Sequence, residues 1–108
     1  PYLYVKECFE GMLYGYEHAS ERVNFFNLAC EGATSVRRIA EEVVAGMGFK
    51  PEEVELKFTG GARGWTGDVP QVRLDIEKLK GLGWEAGYDS DGAVRKAVAD
   101  LVRQMKAE

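Results

Sequence analysis

TGGARGWTGDVPQVRLDIEKLKGLGW, residues Thr59 to Trp84, opens with four glycines: Gly60, Gly61, Gly64 and Gly67. Such density lets backbone amides approach a ligand closely, or permits turns with φ > 0. One cation, Arg63, sits inside the loop and one anion, Asp68, at its end. A guanidinium grips a phosphate through two parallel hydrogen bonds. A carboxylate accepts from two neighbouring sugar hydroxyls. The pair suits a ligand that is anionic at one point and polyhydroxylated beside it, such as a nucleotide sugar. A plain surface loop, with Arg63 and Asp68 paired to each other or to water, accounts for the same residues. Trp65 either covers a base or ribose or seals the loop onto the core.

From Asp75 the pattern turns helical, with Ile76, Leu79 and Leu82 on one side, Gly83 as the stop and Trp84 after it. RGWTGDV, then LDIEK, then LGW resembles the C-terminal region of extended short-chain dehydrogenase/reductases that act on nucleotide sugars. The likeness is strongest to their UDP-glucose 4-epimerase-like members, whose pattern runs R-P-G-D-V, spacer, D-x-x-K, L-G-W. Asp68 stands seven residues before Asp75, the epimerase-like spacing. The family's dehydratases tend to be shorter there and to carry a His before the Asp. Two extra residues separate Arg63 from Thr66, and Thr66 stands where the family has Pro.

Working outward, the chain has 108 residues, room for one small domain. Hydrophobic residues make up 45% and charged residues 30%, an ordinary globular balance. A net charge of −4 without a basic run argues against nucleic acid as a partner. No apolar run approaches the ~20 residues that a membrane span needs. No leader pattern is present, so the expected location is cytoplasmic. Cys8, Cys30 and His18 lack metal-ligand spacing, so no metal site is expected and both cysteines read as free thiols. Pro1 in place of Met suits a piece of a longer chain.

Tyr2 to Val5 reads as a short strand, followed by a helix over Lys6–Ala19. Val5, Cys8, Phe9, Met12, Leu13 and Tyr16 recur at helical spacing and make its expected buried stripe. Gly11 and Gly15 cost that helix about 1 kcal/mol each against Ala, which suits close packing on another element. VNFFNL, Val23 to Leu28, reads as a buried strand, with Asn27 expected to satisfy backbone groups at its end. Val36, Ile39, Ala40, Val43, Val44 and Met47 stripe a second helix that Gly48 and Pro51 end. Ser35 caps it, but Arg38 stands where a capping box has Glu. Glu41 and Glu42 read as a solvated flank. Val54 to Phe58 and Pro70 to Leu74 read as further strands. A last helix starts near Ser90, with Val94, Ala97, Val98, Leu101, Val102 and Met105 on one face.

YVKECFEGMLYGYEHA and FNLACEGATSV resemble further segments of the same family, Y-V-x-D-x-x-x-A-x-x-x-A and F-N-[LI]-G-x-G-x-x-x-S-V, so the likeness covers nearly the whole chain. It implies an α/β fold: a small C-terminal substrate-binding domain of about four helices and three to four short strands, with the Rossmann core missing. Residues 1–108 are then the nucleotide-sugar-binding region, with 1–30 expected to pack on the absent Rossmann domain. The resemblance implies a parent NAD-dependent nucleotide-sugar epimerase, itself a homodimer, with a UDP-sugar as substrate. Arg63 meets the diphosphate and Asp68 the ribose. No G-x-x-G-x-x-G stands before a helix, and the one Tyr-x-x-x-Lys, Tyr2 with Lys6, falls in a segment the family uses structurally. NAD and catalysis therefore belong to the parent, and no catalytic residue is expected here. A stand-alone nucleotide-sugar or protein-binding module is the alternative. The fragment is expected to self-associate.

Overall fold

The computed structural model describes residues 1–60 and 73–107. Among them stand four α-helices, α1 (Val5–Glu17), α2 (Val36–Gly46), α3 (Glu77–Gly81) and α4 (Ser90–Ala107), with one 3-10 turn at Pro51–Glu53.

The helix ends follow local chemistry. Ser35 caps α2 by accepting the Arg38 amide at 3.1 Å. Arg38 does not reach back as a Glu would; its side chain pairs with Glu42 one turn on. α2 ends on Gly48 at φ +85°, where Gly48 N–H bonds Ala45 and Phe49 N–H bonds Val44. α3 ends the same way on Gly83, at φ +107°. Gly83 N–H reaches the Lys80 carbonyl at 3.0 Å and Trp84 N–H the Leu79 carbonyl at 3.2 Å. That crossed pair closes a helix onto a left-handed residue, which glycine adopts without a Cβ clash. The L-G-W string is thus a helix stop. Asp89 caps α4 by accepting Gly92 N–H at 2.8 Å.

The α/β expectation fails: the described residues contain no strand. Tyr2 to Val5, Val23 to Leu28, Val54 to Phe58 and the described end of Pro70 to Leu74 carry strand-like composition, but a strand exists only as a ladder with a neighbour. Several of their polar groups are satisfied by side chains instead. Tyr2 N–H donates to Ser90 Oγ, Cys30 Sγ–H to the Tyr2 carbonyl and Lys78 Nζ to the Phe25 carbonyl. Periodicity reported an alternating apolar face and could not report whether a partner edge lies beside it.

α1 reverses its expected orientation. Glu7, Gly11 and Gly15 are the buried residues of this helix, while Val5, Phe9, Met12, Leu13 and Tyr16 are exposed. The glycines let the chain in close: a Cβ on Gly11 would lie 2.6 Å from Leu28 Cδ2 and 3.0 Å from Trp84 Cη2. The Trp84 indole thus lies over α1. Phe26 sits over Gly15 in the same way.

α2 packs against α4. Gly46 marks their nearest approach, since a Cβ there would stand 2.6 Å from Val98 Cγ1. Ile39, Ala40 and Val44 are half-buried at this contact level, while Val36, Val43 and Met47 stay exposed. Glu42 is not on a free flank: it is half-buried and pairs with Arg38 at 2.9 Å and Arg95 of α4 at 3.5 Å. Among the described residues the buried apolar set is small, comprising Tyr4, Ala29, Cys30, Leu79, Ala93 and Val94. The radius of gyration, 16.8 Å, exceeds the about 13 Å of a compact chain of this length. The molecule is therefore elongated, and much of its apolar surface faces outward.

Candidate functional site

Arg63, Trp65 and Asp68, the residues singled out for substrate binding, lie outside the described residues. Their flanks are described. Gly60 leaves the preceding segment at φ +80°, a conformation that suits glycine. On the far side, Asn27 Nδ2 donates to the Asp75 carbonyl at 3.0 Å. Asp75 Oδ1 in turn accepts Glu77 N–H at 3.0 Å and opens α3. Asn27 thus spends its amide on backbone, the structural role its position suggested.

Asn27 also lines a cleft of about 440 Å³ between residues 27–31, α3 and the 84–89 segment. Leu79 and Trp84 supply its apolar wall and Glu31, Lys80, Glu85 and Asp89 its polar rim. Lys80 stands 3.3 Å from Glu31 and 3.9 Å from Glu85. The hydrogen bond to Glu31, helped by Glu85, lifts the Lys80 ammonium above its ordinary pKa.

Two buried polar residues fix the walls. Glu7 reaches from α1 to accept the amides of Gly87 at 2.8 Å and Tyr88 at 3.0 Å. Ser90, fully buried, takes Tyr2 N–H and meets the Thr34 hydroxyl at 2.6 Å, while its own N–H bonds the Glu31 carbonyl. Thr34 continues to Asp91 at 2.7 Å. Neither Glu7 nor Ser90 stood out as a site-builder in the sequence. The available signal was the spacing of Glu7, Gly11 and Gly15, at i, i+4 and i+8, which traces one helix face.

Among the described residues that line the cleft, no nucleophile is paired with a base. Burial pushes the Cys30 thiol upward, and it donates to the Tyr2 carbonyl at 2.9 Å, so it stays protonated and engaged. His18 lies on the outside, its ring stacked on Tyr14 with centroids 3.8 Å apart. Among the described residues, no group of three His, Cys, Asp or Glu side chains converges as metal ligands. None of the described helices is long and apolar enough to cross a membrane. What the cleft offers is shape, an acidic rim and one paired lysine. Comparison with protein-family models and with curated proteins returned no match.

Proposed function

We propose that this chain is the substrate-side part of a cytoplasmic NAD-dependent nucleotide-sugar epimerase, of the UDP-glucose 4-epimerase-like kind, and that it holds the nucleotide of a UDP-sugar. Arg63 contacts the diphosphate, Asp68 accepts from the ribose hydroxyls and Trp65 covers the nucleoside. The observation that carries this reading is the ordered string RGWTGDV, LDIEK and LGW, with Asp68 seven residues before Asp75. The Asn27 bond to the Asp75 carbonyl supports it, since it fixes the residue that stands seven positions after Asp68.

NAD does not fit this chain. Gly61, Gly64 and Gly67 have the G-x-x-G-x-x-G spacing, but Asp68-Val69-Pro70 follows, and the first described helix after them is α3, from Glu77. A dinucleotide fingerprint needs a strand before the glycines and a helix N-terminus directly after them. Hydride transfer and the proton-abstracting Tyr therefore belong to chain outside these residues, and the 108-residue chain alone is inactive.

The test is a titration of UDP and of UDP-glucose into isotope-labelled protein, followed through the backbone amides. Shifts concentrated at Gly60–Asp68, and weakened at least about tenfold by Asp68→Ala, are expected. Absence of a shift at those residues at millimolar UDP overturns the reading.

A further inference from the structure

α1 carries three distinct faces. Tyr4, just before it, and Glu7, Gly11 and Gly15 face the molecule and are buried. Lys6, Glu10 and Glu17 form one charged flank. Val5, Phe9, Met12, Leu13 and Tyr16, at i, i+4, i+7, i+8 and i+11, form an unbroken apolar stripe. Each stripe residue is at least 57% exposed, and Tyr16 reaches 83%. An amphipathic helix ordinarily buries its apolar side; here glycine occupies the packed side and the large side chains face out.

We infer that this stripe is an interface between two copies of this chain, with α1 packed antiparallel on α1 across a two-fold axis. A stripe that must cover itself is satisfied by an isologous contact, in which one patch serves both copies. Exposed side chains of this size present about 100 Å² each, so the five offer about 500 Å² per copy and about 1,000 Å² per pair. That reaches the lower bound of a specific interface and predicts a weak, concentration-dependent dimer. Antiparallel packing sets Lys6 of one copy near Glu17 of the other, and it opposes the helix dipoles. The stripe lies opposite the face that carries Glu7, so the dimer leaves the 84–89 segment in place. On the nucleotide-sugar reading residues 1–30 face chain outside these 108 residues, so the dimer is proposed of residues 1–108 by themselves, the protein on which the test is run.

Sedimentation velocity of the whole chain over about a hundredfold range of concentration tests it. The weight-average mass is expected to climb from one chain towards two and stop there. Phe9→Glu and Leu13→Glu, both on exposed positions, are expected to weaken association at least tenfold with unchanged far-UV circular dichroism. Leu101→Glu, on the exposed side of α4, is expected to leave it unchanged. A monomer throughout the range, open-ended aggregation past two chains, or association that Leu101→Glu disrupts and Phe9→Glu spares would each overturn the inference.

Discussion

Glu7 of α1 accepts the backbone N–H of Gly87 through Oε2 at 2.8 Å, across 80 residues of chain. The other carboxylate oxygen takes Tyr88 N–H at 3.0 Å. One buried side chain thereby fixes a loop that has no helix or ladder of its own. Glu7→Gln keeps one oxygen acceptor and turns an NH₂ towards the second amide; a loss of about 1–2 kcal/mol is expected. Glu7→Ala removes both acceptors and should lose more, about 2–4 kcal/mol, held down because water reaches the exposed Gly87 and Tyr88. Urea unfolding of the three proteins measures the order. Equal stability of wild type and Glu7→Ala would remove the loop-fixing role.

Gly46 and Gly81 should respond to alanine with opposite signs. At Gly46 the new methyl would stand 2.6 Å from Val98 Cγ1, and a β-branched side chain has little freedom to turn away. Forcing α2 from α4 is expected to cost about 1–3 kcal/mol. At Gly81, the last residue of α3, nothing lies within 4 Å of the added Cβ. Gly81→Ala should therefore gain about 0.5–1 kcal/mol through helix propensity and a less flexible unfolded chain. Paired thermal melts read both signs directly.

The helices were legible because their signals are local. Gly48 and Gly83 announced two stops and Ser90 a start, and each is found at the helix end it marked. The strands were not, because pairing is a relation between distant segments that alternation does not encode. α1 failed for a related reason: five large apolar residues outweighed two glycines in a periodicity count, while burial chose the glycines. The weakest helix formers made the closest approach. Of the site, Asn27 was legible as a bracing residue, whereas Glu7 and Ser90 act on partners 56 to 88 residues away, where sequence spacing says nothing.

Gly83 is required for two separable reasons. Its φ of +107° strains any residue with a Cβ, and an added Cβ would stand 2.7 Å from the Tyr14 hydroxyl. That hydroxyl donates to the neighbouring Leu82 carbonyl at 2.7 Å. Gly83→Ala is expected to cost about 2–4 kcal/mol, combining backbone strain with the clash. Tyr14→Phe removes the crowding atom, so the double variant should be less destabilised than the sum of the singles, by about 0.5–1 kcal/mol. Strict additivity in the double-mutant cycle would assign the whole cost to the backbone.

Tyr4 ties the chain start to α4, its hydroxyl donating to the Asp100 carboxylate, with Lys96 and Arg103 at the same acid. The bond raises the Tyr4 pKa, with burial and the Asp100 charge adding to it. The same bond, with Lys96 assisting, lowers the pKa of Asp100. A depressed carboxylate contributes stability above its unfolded value, near about 3.9, and loses it as pH falls through the folded value. A raised phenol contributes below its unfolded value, near about 10, and loses it as pH rises through the folded one. The pair should therefore stabilise the fold across a plateau bounded by acid and by alkali. Tyr4→Phe keeps the edge-on packing against Tyr88 and deletes only the donor. The difference in melting temperature between wild type and Tyr4→Phe is expected to be constant from about pH 5 to 9 and to shrink below pH ~4 and above pH ~10. A difference that stays constant into acid and alkali would mean that the phenol contributes by packing alone.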